Sequence, residues 1–233
     1  MEKIKFRFLA GIFSISAATL CLEISLVRYF SISQQYHFAF WVVSIAFLGY
    51  GMSGSFIAIF KNILRCEQCN FLSVSSLLFS FSLFLSFLLC NILPFDFISL
   101  SWESSQIYYI FLYYLILSLP FFFAGLTISF AITTASRFIN KIYFSDLLGA
   151  GIGALLSILI FLPNGDRGVI LSICLLASSS SILFSSKKTL LFKFLLVTFM
   201  ATQAVLLFFS PSWLSFRISP YKALPLALHY PEA

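Results

Sequence analysis

The chain has 233 residues, of which 61% are hydrophobic and 9% charged, and a formal net charge of +6. A soluble domain is about 25% charged, and a mean hydropathy of +1.03 is more apolar surface than one soluble core absorbs. This excludes an ordinary soluble domain and points to an all-α, polytopic helical transmembrane protein, because only helices close their own backbone hydrogen bonds within long apolar runs in lipid.

A helix rises about 1.5 Å per residue and the hydrocarbon core is roughly 30 Å thick, so some twenty apolar residues make one span. On that measure the sequence predicts about seven spans, over residues 8–30, 36–60, 71–94, 107–136, 145–163, 168–184 and 190–209. Lys3, Lys5 and Arg7 precede the first span, Lys61 and Arg65 follow the second, Arg137 and Lys141 follow the fourth, and Lys187 and Lys188 follow the sixth. Basic residues in short loops resist translocation, so these segments are expected on the cytoplasmic side, with the N-terminus inside a cell (inner or cytoplasmic) membrane. The opposite loops hold Asp96, Glu103 and the Asp166–Arg167 pair. The positive charge is therefore a topology signal, and no basic stripe suited to nucleic acid is present. A basic start before an apolar stretch also describes a secretory signal. Here the stretch continues through Leu26, and Leu20 is too large to precede a lipoprotein cysteine at Cys21, so an uncleaved signal anchor is expected.

Taken in chain order, the first polar residues within apolar surroundings are Glu23 and Arg28, in the first span. A carboxylate in hydrocarbon is costly and should face helices, a partner or water. Glu23 reads either as an interhelical hydrogen-bonding residue or as a substrate, proton or ion site. Five helical residues rotate about 140°, so Glu23 and Arg28 do not share a face, and Arg28 is expected to snorkel to the outer interface. Gln34, Gln35, Tyr36 and His37 follow between spans, as an interfacial belt or, through His37, a titrating site.

Gly49, Gly51 and Gly54 spell GxGxxG, but inside a span rather than after a strand, so a dinucleotide site is excluded. Helix packing is the expected role of Gly49 and Gly51, and likewise of Gly149 and Gly153 in the fifth span. Cys66 and Cys69 form a CxxC in a predicted short loop: an inert pair, a redox dithiol, or half of a metal site that a second chain would have to complete. Pro120 lies in the middle of the long fourth span and predicts a kink near residues 118–120, or a broken helix lining a site. Ser145 and Asp146 stand at the predicted start of the fifth span, as an N-cap or as a coupling or substrate site. The sequence offers no catalytic triad, P-loop or soluble pair of carboxylates, so no catalytic, cofactor-binding or metal residue is expected and the chain alone is not expected to be an enzyme.

Several of these segments, in order, resemble the membrane domain of the membrane-bound spermidine synthase-like family, also described as fused transporter and spermidine synthase proteins. They are Leu22-Glu23-Ile24 through Arg28-Tyr29-Phe30, Tyr36-His37-Phe38-Ala39-Phe40, Leu119-Pro120-Phe121-Phe122-Phe123-Ala124-Gly125, and Ser145-Asp146-Leu147-Leu148-Gly149-Ala150-Gly151-Ile152-Gly153. Ile218-Ser219-Pro220-Tyr221-Lys222 and Leu228-His229-Tyr230-Pro231 are similar to the lead-in to that family's soluble Rossmann-like domain. The resemblance divides the chain into a helical membrane domain, 1–210, and a tail, 211–233. It implies polyamine chemistry in a soluble aminopropyltransferase-like domain that these residues do not include. It carries over Glu23, Arg28, His37 and Asp146 as candidate intramembrane polar residues. An odd number of spans starting inside would put the tail outside, where such chemistry is not expected. Besides the lipid bilayer, the expected partner is a soluble spermidine synthase-like domain or subunit that this chain anchors or feeds. The rival expectations are a small transporter for a polar or cationic solute, and a structural membrane subunit.

Overall fold

Twenty or more apolar residues without a helix breaker have one stable backbone solution in lipid, and the chain adopts it repeatedly. The structure, a computed structural model, describes residues 6–33, 38–65, 67–93, 95, 103–185 and 190–209. His37, Cys66 and the predicted tail over 211–233 lie outside the described residues. The helices are α1 (Phe6–Ser33), α2 (Phe38–Ile59), α3 (Gln68–Ile92), α4 (Gln106–Thr134), α5 (Ile139–Phe184) and α6 (Leu190–Phe209). Short 3-10 turns, Lys61–Arg65 and Ser136–Phe138, follow α2 and α4. No strand occurs among the described residues.

The 46 residues of α5 would extend about 70 Å if straight, more than twice the hydrocarbon thickness. They are not straight. Ser145 Oγ donates to the Leu9 carbonyl at 2.8 Å and Ser180 Oγ donates to the Gly11 carbonyl at 2.8 Å. A straight helix would hold Ser145 and Ser180 about 50 Å apart, yet both reach carbonyls two residues apart on α1. The chain therefore reverses between Phe161 and Gly168, and α5 is two antiparallel limbs. Among the described residues six helical stretches are long and apolar enough to cross a membrane, including the first limb, and the second limb, Gly168–Phe184, is a shorter apolar seventh. The chain is an all-α polytopic membrane protein of about seven spans.

α1 is the central helix: it packs along α5 and also meets α2 and α4, and residues around most of its circumference are buried. The first limb of α5 runs parallel to it, with Gly149 against Phe13 and Gly153 against Ala17. The second limb returns antiparallel to α3, which in turn packs on α4, and α2 packs on α4 from the other side. This up-and-down order brings the starts of α1, α3, α5 and α6 and the ends of α2 and α4 to one face, called here the N-terminal face. Arg7, Lys61, Arg137, Lys141 and Lys193 all stand at or near that face. At the opposite face Trp41 meets Phe30, Phe95 and Tyr114 with ring centroids 6.1, 6.3 and 5.8 Å apart, a cluster that ties α1, α2 and α4 together.

Lipid tails are as apolar as leucine, so helices in a membrane are held by close packing and hydrogen bonds rather than by burial of apolar area. The distribution of side chains follows that rule. Phe40, Phe47, Phe111, Leu155, Leu159 and Phe208 face outward, while serines are buried. Ser73 pairs with Ser181, Ser76 with Ser180, and Ser80 with Ser178, forming a ladder between α3 and the second limb. Gln203 of α6 donates to Ser80 Oγ at 3.0 Å and accepts from Ser178 at 3.2 Å. It is 2% exposed in a helix whose apolar side chains mostly face lipid, so it is the polar anchor of α6.

α4 stays helical through Pro120, so the broken-helix expectation is not met. Proline has no N–H to give the carbonyl four residues back, that of Ile116. Ser86 of α3 fills the vacancy, donating to Ile116 O at 2.8 Å.

Candidate functional site

The polar residues of the first span fall on one stripe: Ser16, Thr19 with Leu20, and Glu23 are spaced three or four apart and share a face of α1. Ser16, Thr19 and Leu20 line a cavity of about 310 Å³ together with Tyr50 and Ser53 of α2, Gly125, Ile128 and Ser129 of α4, and Asp146 and Ala150 of α5. α4 and the first limb of α5 follow one another in sequence yet scarcely touch, and the cavity occupies the gap between them.

Small residues make room for it. A Cβ on Gly125 would collide with Ser53 and come within 3.1 Å of the Tyr50 ring. A Cβ on Gly149 would meet the Phe13 backbone, and one on Gly153 would lie 2.8 Å from Ala17 Cα. Gly149 and Gly153, two of the four glycines expected to pack, lie against the backbone of α1 and bring the first limb close enough for the Ser16 hydroxyl to donate to Asp146 Oδ1. Gly49 also packs, 2.6 Å by such a Cβ from Phe121 Cβ. Gly51 does not: nothing lies within 4 Å of it, because it faces away from α4.

Asp146 is half-buried, and the N-cap reading of Ser145 and Asp146 is corrected. α5 begins at Ile139, directly after the 3-10 turn, so both residues lie well inside the helix, where their backbone N–H groups need no cap. Their side chains are spent on α1 instead, Ser145 on Leu9 and Asp146 on Ser16.

Glu23 is half-buried one turn beyond the cavity. Tyr50 lies within electrostatic reach of both Glu23 and Asp146, so the two carboxylates act on one polar region. By helical rise Glu23 is about 10 Å further from the N-terminal face than Ser16, the partner of Asp146. Arg28 does not join them: its guanidinium stands 5.8 Å from the Phe161 ring centroid, a cation–π contact between α1 and the first limb. Cys69 begins α3 without its motif partner Cys66 being described, and among the described residues no three of His, Cys, Asp and Glu gather to hold a metal.

Sequence reasoning picked out Glu23 and Asp146 by charge in apolar context. It missed Ser16, Thr19, Tyr50, Ser53 and Ser129. For Ser16 and Thr19 the one signal was the i, i+3, i+7 spacing with Glu23 on α1; Tyr50, Ser53 and Ser129 had none, since hydroxyl residues are common in every span. Compared with protein families, curated proteins and solved structures, the chain matches none.

Proposed function

We propose that this membrane protein binds a small cationic or strongly polar solute in the cavity between α1, α2, α4 and the first limb of α5. The observation that carries this reading is the Asp146 carboxylate on a cavity of about 310 Å³ lined by four hydroxyl residues besides Tyr50. Ionisable groups at membrane depth are costly and are kept where they face a polar path. Asp146 is the principal ligand for the cation, Ser16 orients it, and Ser53, Thr19 and Ser129 offer further acceptors. Glu23, on the same stripe, is the next acidic station deeper in the bundle. Transport, with the solute passing between these stations, is the activity this arrangement supports best.

The ordered resemblance to spermidine synthase-like membrane domains favours a related reading: the chain anchors, or feeds with substrate, a soluble aminopropyltransferase-like partner. Two of the motif residues, Glu23 and Asp146, are the acidic residues of this region, and the resemblance makes polyamines the cations to try first. The charge pattern supports a cell membrane with the N-terminal face toward the cytoplasm.

Uptake of radiolabelled spermidine and putrescine into proteoliposomes tests the solute reading. Wild type accumulates label above empty vesicles, and Asp146→Asn, checked for monodispersity, does not. Uptake by D146N equal to wild type would sink it.

A further inference from the structure

A second hollow lies on the other side of the α1–α5 seam, separate from the polar cavity. It is a groove of about 550 Å³ near the N-terminal face, with Phe6, Leu9 and Phe13 along one wall and Lys141, Phe144 and Leu148 along the other. Each wall is a stripe at i, i+3 or i+4, and i+7, and the two helices run parallel here, so the walls stay in register. The groove persists because the seam beneath it is tight: Ser145 bonds the Leu9 carbonyl, and Gly149 sits against Phe13. Phe6 and Phe144 stand out as rims, 83% and 66% exposed.

The polarity of this groove is graded. Its deep part is apolar except for Ser145, whose hydroxyl is spent on the Leu9 carbonyl, whereas Lys141 and Asn140 stand at the end nearest the N-terminal face. Among the described residues no acidic residue lines it, because Asp146 is turned to Ser16 on the opposite side of the limb. Arg7 follows Phe6 and Arg137 precedes Lys141 by one turn, so further positive charge stands near the same end. An apolar slot along the membrane normal, closed by a cation at headgroup depth, matches one class of molecule.

We infer that this groove is a binding site for an anionic phospholipid, with an acyl chain laid between Phe6, Leu9, Phe13, Phe144 and Leu148 and the phosphate held by the Lys141 ammonium and the Asn140 amide. Zwitterionic lipid fits the slot equally well but carries a cationic group that Lys141 repels. Attraction of an anionic headgroup by one lysine corresponds to a preference of about fivefold.

The test uses the full chain in detergent, incubated with dioleoylphosphatidylglycerol or dioleoylphosphatidylcholine and read by native mass spectrometry. The expected result is retention of phosphatidylglycerol about fivefold above phosphatidylcholine. Lys141→Gln brings the two to near parity, Ala10→Trp, which fills the groove floor, lowers both, and Lys61→Gln at another corner of the face changes neither. Equal retention of the two lipids by wild type overturns the proposal, as does a preference that survives K141Q. A wild-type dimer that A10W disrupts, with lipid retention unchanged, would assign the groove to a second copy instead. A phosphatidylglycerol carrying a photoreactive acyl chain gives an independent reading on wild type alone. Labelling on α1 between Phe6 and Phe13 and on α5 between Lys141 and Leu148 supports the site, and labelling confined elsewhere overturns it.

Discussion

Ser16 of α1 donates its hydroxyl hydrogen to Asp146 of α5, joining residues 130 apart in sequence at the edge of the polar cavity. The bond holds the acidic residue at the wall instead of leaving it free to rotate toward lipid. Ser16→Ala removes the donor and keeps the carboxylate. Interhelical hydrogen bonds in membranes average about 0.6 kcal/mol, so S16A is expected to lower stability by about that amount. Solute uptake should fall severalfold but not to zero, in contrast to D146N. Initial uptake rates beside reversible unfolding in mixed micelles check both parts.

Gly153 lies against the backbone of Ala17, where even a methyl group has no room, and Gly149 lies in the same way against Phe13. Replacing either with Leu must drive the first limb of α5 away from α1. Overpacking of this kind costs about 1–3 kcal/mol or more. Gly51→Leu serves as the control, because nothing lies within 4 Å of Gly51. Thermal midpoints read by size-exclusion chromatography should drop clearly for G149L and G153L and stay near wild type for G51L.

The Ser86–Ile116 bond exists because Pro120 leaves the Ile116 carbonyl without a helical donor. Ser86→Ala is expected to cost about 0.6 kcal/mol, the average for an interhelical bond in a membrane. In a Pro120→Ala background the helix supplies its own donor, and the same S86A change should cost markedly less. A double-mutant cycle on unfolding free energy measures this coupling, and identical costs in both backgrounds would contradict it.

Gln203 is the buried polar residue through which α6 joins the serine ladder, at Ser80 and Ser178. Gln203→Leu keeps the helix apolar but removes both bonds that tie α6 to the ladder, while Ser80 and Ser178 keep each other as partners. The overall fold should survive, while α6 loosens: amide exchange within Leu190–Phe209 is expected to quicken more than that of α3. Exchange mass spectrometry in detergent reads the two helices separately.

Much of the fold was legible in the sequence because membrane insertion depends on local properties that add along the chain. Apolar length alone marked each span, and it placed the division near Pro163 that helical hydrogen bonding across Ile139–Phe184 obscures. Charge in an apolar context was likewise enough to single out Glu23 and Asp146, since an acidic residue in an apolar run needs polar surroundings wherever the fold places it. The basic residues at the N-terminal face follow from the same one-dimensional reading.

Rotation of each helix about its own axis was decided only in three dimensions. Lipid and bundle interior are equally apolar, so no strong amphipathic stripe tells which face turns inward. That is why Gly49 and Gly51, two residues apart, met opposite fates, one against Phe121 and one open. It is also why sequence alone could not match the serines of α3 to those of the second limb of α5. The start of α5 at Ile139 likewise turned Ser145 and Asp146 from an expected cap into ties to α1. Sequence determined which residues enter the membrane, through the additive cost of transferring each one. Tertiary structure decided which of them meet, because hydrogen bonds and close backbone contacts depend on register and rotation that no single segment encodes.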